Sequence, residues 1–349
     1  MKNNFSFPVL EHPAPACDSK RAIDLAKSWM ELDNSTTITP LVSERDRNFL
    51  ISTNEEKAIL KISNHKEERG VLEFQIEALL YLQETTSLNL PKAKKNIDGE
   101  YLMLKDVGGE DCYVRIVSYL EGIPLDDVRA KIPDPRELHL SMGTFLAKLG
   151  NGLDGFSHPN ENHRLLWDVA QTENLFDLLD NIQDEQKRKM AERALIYYQD
   201  NTKELLSKQR KQVIHNDMNP DNVLVTKEGP SSVVGMIDFG DMLHAPLIND
   251  LAVARAYEAI RTESLFSGSK DLLQGYHNEN KLSESEIMLL SMLTYNRIAM
   301  SLIISEWRSR KHPENREYIL GNIEYTWAIF KDIKEEEIEK VGNSLAKSV

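Results

Sequence analysis

Residues 213–241 read VIHNDMNPDNVLVTKEGPSSVVGMIDFGD. Three short apolar runs lie in and around this stretch: QVIH (212–215), NVLV (222–225) and VVGMIDF (233–239). Each is rich in Val and Ile and bounded by Asn, Asp, Pro or Gly, which predicts strands joined by tight polar loops. The two loops, HNDMNPDN (215–222) and DFGD (238–241), carry an unusual density of carboxylates and amides. A β-rich island of this kind stands out because the surrounding chain reads as helix. Apolar residues recur at helical spacing over about 135–152, 186–209, 247–263, 283–310 and 314–340.

Upstream the pattern differs. After a Pro-marked arm (1–18), a helix is expected over about 19–32, capped near Asp18 or Ser19, with Leu25, Trp29 and Leu32 on one side. Strand-like pieces follow at 36–42, 48–52 and 57–63, then a helix over 71–83 with Leu72, Ile76, Leu79 and Leu80 in register. Two further strands are expected at 101–105 and 112–120. This order predicts a small α+β lobe over 19–120. EGIPL (121–125), with Gly122 and Pro124, marks the boundary, and 121–349 forms a larger, mainly helical lobe.

The chain has 349 residues, 28% of them charged, with 56 Asp and Glu against 42 Lys and Arg and a formal net charge of −14. That acidity argues against a nucleic-acid partner and suits a cationic ligand. Cys17 and Cys112 are the only cysteines, so no disulfide framework is expected. The N-terminus lacks the apolar core of a signal peptide, and no apolar stretch is read as approaching the length of a membrane span. A cytoplasmic protein, monomer or homodimer, with no membrane partner is the expectation.

The island's loops carry the chemistry. Asp217 and Asn222 have the spacing of a kinase catalytic loop, in which an Asp accepts a hydroxyl proton and an Asn five residues later holds a metal. Asp238, at the end of a buried strand, supplies a carboxylate for Mg²⁺. Phosphoryl transfer needs such a set because charge spreads over the γ-phosphoryl oxygens, so metal and positioning dominate. The plain alternative is Asx turns at 217, 222 and 238. His215 is grouped with the catalytic residues, although a motif His there more often holds the loop by hydrogen bonding. Asp250 is either a helix N-cap or a brace for this loop.

In KAILKIS (57–63), alternation puts Ala58, Leu60 and Ile62 on one face and Ile59 with Lys61 on the other. Lys61 is therefore the candidate for phosphate oxygens, with Glu73 as its helical partner and Glu77 as the alternative. A snorkelling surface Lys is the competing reading. No glycine-rich phosphate loop is present, so the turn SERDRN (43–48), through Ser43, Arg45 and Asn48, is expected to cover the phosphates. Only eleven residues separate Asp238 from Asp250 and no APE motif follows, which removes the peptide platform of a protein kinase and favours a small-molecule acceptor. Asp241, Trp167, Asp168 and Arg297 are the candidate acceptor lining. Each also has a structural reading: Trp167 as core, Asp168 as a helix N-cap, Arg297 as a helix-surface cation.

HNDMNPDN and IDFGD together resemble the aminoglycoside phosphotransferase and choline kinase superfamily. LVSERDRNF (41–49), AILKIS (58–63), VRIVSYLEGIPL (114–125), LLWDV (165–169) and HPENREYIL (312–320) extend the likeness to the hydroxylysine kinase branch, over about residues 20–335. The resemblance implies a protein-kinase-like two-lobed fold that uses ATP or GTP with Mg²⁺. It also implies Asp217 as the catalytic Asp, Asn222 and Asp238 as metal ligands, and Lys61 with Glu73 as a phosphate-positioning pair. Ser118, Tyr119 and Leu120 would form the hinge that meets the base. The acceptor it implies is 5-hydroxy-L-lysine or a similar hydroxy amino acid; homoserine, a choline-like alcohol or an aminoglycoside is the alternative. A nucleotide-binding pseudokinase is the alternative of another class. One departure is Asn216, where the family often has Gly.

Overall fold

A computed structural model of the chain describes residues 6–229, 231–261, 269–321 and 323–349. The first five residues of the arm, and the end of the helix expected over 247–263, lie outside the described residues. The chain divides into two compact units.

The first unit spans Ser6–Glu121 with His158–Asn160. Two helices, α1 (Pro8–Glu11) and α2 (Ser19–Ala26), precede strands β1 (Thr37–Leu41), β2 (Arg47–Ser52) and β3 (Lys57–Ile62). Helix α3 (Arg69–Thr85) and strands β4 (Ala93–Lys94), β5 (Met103–Val107) and β6 (Glu110–Ser118) follow. The strands form one antiparallel sheet in the order β1-β2-β3-β6-β4, with β5 also on β6. Its register pairs Phe49 with Leu60 and Leu60 with Ile116, a row that is buried. On that face Ala22, Leu25 and Ala26 of α2, with Trp29 and Met30, complete the core. The expected helix over 19–32 thus ends early, and Asp18 caps it by accepting from Arg21 N–H at 2.7 Å. The alternate row, Asn48–Lys61–Arg115, points to the opposite face, as a period of two requires.

The second unit spans Gly122–Ser157 and Glu161–Val349 among the described residues. It begins with β7 (Ile123–Pro124), α4 (Leu125–Val128) and α5 (Arg136–Gly152). A run of 3₁₀ turns (Val169–Asn181) then leads into α6 (Glu185–Tyr197), joined through a wide turn to α7 (Lys203–Ser207). The β-rich island comes next: β8 (Lys211–Ile214), β9 (Val223–Val225), β10 (Val233–Met236) and β11 (Leu243–Pro246). Helices α8 (Ile248–Arg261), α9 (Ser269–Glu279) and α10 (Glu284–Lys311) follow. The end of the chain is α11 (Arg316–Ile319), α12 (Ile323–Asp332) and α13 (Glu335–Ala346), where one long helix was expected.

Helix α10 starts at a capping box, Ser283 accepting from Glu286 N–H and Glu286 accepting from Ser283 N–H. It corrects one expectation, because it is long and apolar enough to cross a membrane. Of its most apolar 18-residue window, 89% is buried inside the protein, as in a core helix. It packs against α6, α8, α13 and the 3₁₀ segment.

Helix α9 was not expected from sequence. It packs on α5 through reciprocal glycines: a Cβ at Gly143 would run into the Leu272 carbonyl, and one at Gly275 into the Leu140 carbonyl. Gly143→Ala gains up to ~1 kcal/mol of helix propensity, yet it must push two backbones apart, at about 1–3 kcal/mol. Sterics should win, so the urea midpoint of Gly143→Ala falls with the slope unchanged. A midpoint at or above wild type would refute this packing.

Candidate active site

The topology of the island explains how its loops meet. Ile214 pairs with Leu243 at one end of the β8–β11 ladder, and Val223 pairs with Met236 at one end of β9–β10. Loop 215–222 runs from the first ladder end to the second, and loop 237–242 returns between the same ends. Ile237 N–H donates to the Asn222 carbonyl at 2.9 Å and ties the two together. Asp217, Asn222, Asp238 and Asp241 are thereby gathered from residues up to 24 apart in sequence.

Two residues here hold left-handed backbone, Asn216 at φ 65° and Asp238 at φ 58°. Glycine enters this region freely, and Asn is among the few other residues that do so cheaply. The departure noted in the sequence is therefore conformationally conservative. The backbone N–H groups of His215 and Asn216 donate to the Asp250 carboxylate at 3.3 and 2.6 Å. Asp250 lies inside α8 and is fully buried, so it is the brace and not the N-cap. Burial raises its carboxyl to about 6, against the pull of those two N–H groups.

His215 Nδ1 accepts from Asp217 N–H at 3.2 Å, and the ring stands edge-on to Phe239. Burial lowers the imidazole to about 4 despite Asp238 and Asp241. It is a neutral hydrogen-bonding residue of the loop. The Asp217 carboxylate accepts from Asn219 Nδ2 at 3.0 Å on each oxygen and from Asn222 Nδ2 at 2.7 Å on Oδ2. Burial raises its carboxyl well above the usual range; Asp241 and Asp238 add to the rise, and Arg297 and Asn219 oppose it.

This excess of negative charge is what a cation would relieve. With its Nδ2 on Asp217, Asn222 has its Oδ1 turned away, the only atom of that side chain a cation accepts. Asp238 is exposed. Among the described residues no cluster of three or more His, Cys, Asp and Glu is set to hold a metal alone. Mg²⁺ does not need one, since it is commonly held by one or two carboxylates plus substrate phosphates. The residues present fit that ion.

Of the candidate acceptor lining, the structure brings Arg297 and Trp167 together: the guanidinium lies 4.7 Å from the Trp167 ring centroid and 5.9 Å from that of Tyr257. Arg297 is 2% exposed, in a stripe with Leu290, Leu293, Met300 and Ile304. Its Nη1 donates to Ser301 Oγ at 2.9 Å, while Nε is buried without a hydrogen-bond partner among the described residues. Asp241 is 9% exposed and acts electrostatically on Asp217 and His215. Asp168 has a different setting. It caps the 3₁₀ segment by accepting from Ala170 N–H at 3.0 Å, and the nearby cation is Lys211.

In the first unit, Asn48, Lys61 and Arg115 lie side by side across three strands on the face away from the core. Directly opposed like charges on one face favour an anion between or above them. Arg115 also joins sheet to helix, donating to Ser63 Oγ at 2.7 Å and to Gln75 Oε1 on α3 at 3.0 Å. Glu73 accepts from Arg69 at 2.8 Å, and Glu77 lies 3.7 Å from His158. The turn holding Ser43 and Arg45 is pinned by buried Asn64, which donates through Nδ2 to the Arg45 carbonyl and through N–H to Asp46. At the expected hinge, the Ser118 and Tyr119 N–H groups donate to the Lys92 and Lys57 carbonyls. Leu120 is buried.

Residues 37–283 match the family model described as phosphotransferase enzyme family. The chain belongs to this phosphotransferase family. The hydroxylysine kinase of Xenopus laevis is 26% identical over 374 residues, covering 100% of this chain and 99% of that protein. An amicoumacin kinase solved with AMP-PNP, Ca²⁺ and Ami superposes with TM-score 0.67 at 13% identity, over 88% of this chain and 94% of that one. The GDP and kanamycin complex of APH(2")-IIia gives 0.62 at 16% identity, over 90% and 100%. These likenesses establish the protein-kinase-like fold, and the family establishes a phosphotransferase that uses an alcohol group as acceptor.

Three residues that touch candidate residues within their own units went unread in the sequence. Asn219 drew notice only as the replacement for a kinase lysine, and Tyr257 and Arg115 drew none. A signal existed for Arg115, because an Arg in the middle of the apolar strand CYVRIVSYL needs buried partners. Arg297 lies outside the matched segment, so the family pattern carries no information about it.

Proposed function

We propose that this phosphotransferase moves the γ-phosphoryl group of ATP or GTP, with Mg²⁺, onto the hydroxyl of a small hydroxy amino acid, with 5-hydroxy-L-lysine as the acceptor. One observation carries the kinase chemistry: the convergence of Asp217, Asn222 and Asp238 in the two loops that link the ends of the β8–β11 and β9–β10 strand pairs. Asp217 accepts the hydroxyl proton as the oxygen attacks. Asn222 Oδ1 and the Asp238 carboxylate would hold Mg²⁺, which when bound offsets charge on the transferring phosphoryl oxygens. Lys61 is assigned to the nucleotide phosphates, with Arg115 beside it in the same row. The backbone at Ser118–Leu120 is assigned to the base, and Ser43, Arg45 and Asn48 to the covering turn.

The acceptor assignment draws on the Xenopus relative's name and on the charges around Asp217. A hydroxy amino acid brings a carboxylate and a distal ammonium, and a buried unpaired charge costs several kcal/mol. Arg297, stacked on Trp167 and with its Nε unbonded, suits the carboxylate. Asp241 suits the ammonium. Loss of one charge-assisted contact costs about 1.5–3 kcal/mol, so Arg297→Lys and Arg297→Ala should raise KM for hydroxylysine about 10- to 100-fold. KM for nucleotide should stay within twofold. An amino alcohol without a carboxylate should be indifferent to both changes; wild-type KM for hydroxylysine in both variants would remove Arg297 from the site.

The reading is tested by kcat/KM for hydroxylysine, homoserine, choline and an aminoglycoside, each with ATP and with GTP. Homoserine lacks the distal amine and should be poor, and choline lacks the carboxylate and should be poorer. If homoserine or the aminoglycoside exceeds hydroxylysine tenfold, the acceptor assignment falls and the phosphotransferase assignment stands.

A further inference from the structure

Asn219 sits where protein kinases carry a lysine, two residues after the catalytic Asp, and its amide faces in two directions. Its Oδ1 accepts from the backbone N–H groups of Asp221 at 2.8 Å and Asn222 at 3.0 Å. Those two donors fix which way the amide is turned, because a flipped amide would set its NH₂ against two N–H groups. Its Nδ2 is therefore committed to Asp217, at 3.0 Å from each carboxylate oxygen.

The two oxygens of Asp217 are then not equivalent. Oδ2 accepts from both Asn219 and Asn222, at 3.0 and 2.7 Å. Among the described residues, Oδ1 accepts from Asn219 alone. A carboxylate oxygen has about two acceptor sites, so Oδ2 is filled and Oδ1 keeps one lone pair in the carboxylate plane. Asn222 reaches from the start of β9 and Asn219 from within the loop, so the plane is clamped from two sides.

We propose that Asn219 is a positioning residue for phosphoryl transfer, which with Asn222 holds the Asp217 carboxylate so that Oδ1 faces the acceptor hydroxyl. This rests on the reading of Asp217 as the proton acceptor. In the step it serves, the acceptor O–H bond breaks and its proton goes to Oδ1. The oxygen forms a bond to the γ-phosphorus, and the phosphorus–oxygen bond to the β-phosphate breaks with its electron pair leaving on the nucleoside diphosphate.

Asn219→Asp separates this role from a structural one. Aspartate keeps an oxygen for the Asp221 and Asn222 N–H groups, so the turn survives, but it has no N–H to give Asp217. Misplacing a reacting group by about 1 Å can cost ~10²-fold. With hydroxylysine and saturating nucleotide, Asn219→Asp should lower kcat about 10- to 100-fold with nucleotide KM within twofold. Its new carboxylate lies against that of Asp217, so the thermal midpoint should fall and should recover in the Asp217→Asn background. Because Asn219 acts through Asp217, the same change in an Asp217→Asn background should cost less than a further twofold. Wild-type kcat in Asn219→Asp while Asp217→Asn is crippled would overturn the positioning role alone. So would an equal fold-loss in both backgrounds, which marks an independent structural effect. Wild-type turnover by Asp217→Asn would overturn the reading of Asp217 itself, and the positioning role with it.

Discussion

Asp217→Asn is expected to fold and bind nucleotide like the wild type but to turn over at least ~10²- to 10³-fold more slowly, the range for a positioned general base. The substitution is close to isosteric. An amide oxygen can replace Oδ2 and still accept from Asn219 and Asn222, while an NH₂ group at Oδ1 gives up the Asn219 contact there and, on our assignment, the proton acceptor. Loss should therefore fall on kcat, with KM for both substrates changed little. Steady-state kinetics alongside direct nucleotide titration would check this; normal turnover in Asp217→Asn removes the residue from the mechanism. The charge change also bears on the surroundings, since Asp241 and Asp238 both press the Asp217 carboxyl upward. A neutral residue at 217 relieves them, so thermal stability should hold or rise. A fall in both stability and activity would point to a structural role.

Asp238 yields the second large effect. On the proposed assignment it is the main carboxylate for Mg²⁺, and its removal should abolish the metal dependence of nucleotide binding. Position 238 is left-handed, so Ala there also adds about 1–2 kcal/mol of backbone strain. Asn tolerates that conformation and removes the charge without the strain. Both variants should bind nucleotide equally with Mg²⁺ and with EDTA, where the wild type should show at least a tenfold difference, since even outer-shell changes typically cost 10- to 100-fold in metal affinity. Mg²⁺ dependence intact in Asp238→Asn would end its role as a ligand.

The sheet of the first unit was legible because its strands alternate. Ala58, Leu60 and Ile62 are buried while Ile59 and Lys61 are not, as the period of two requires. The meeting of the two loops was legible because short, fixed spacings between strand ends decide which residues come together. What escaped depended on partners distant in sequence. Helix α9 carries Gly275 at its centre, which weakens a helical pattern, and the reason for that glycine is the Leu140 carbonyl 135 residues earlier. The helix expected over 314–340 is interrupted near Gly321 and again at Ile333–Lys334, where periodicity alone saw continuity. Asp168 had two readings, an acceptor-lining anion or a helix N-cap, and its carboxylate caps the 3₁₀ segment. Helix α10 was misjudged for the opposite reason. Its most apolar window is long because the protein surrounds it, 89% of that window being buried, and composition cannot distinguish protein surroundings from lipid.

That central helix has a bearing on how the chain is made. A ribosome that has delivered residues 1–283 has released every candidate residue of the proposed site except Arg297, together with the whole segment shared with the family. It has not yet released α10, the rod on which α6, α8 and the 3₁₀ segment close. Until then the flanks of those elements that face α10 stay open, although α6 already has the 3₁₀ segment, and α8 already has α5 and α9, to pack on. The nascent second unit waits, greasy and unsealed, for its late-arriving axle, while the sheet of the first unit already holds its complete set of strands.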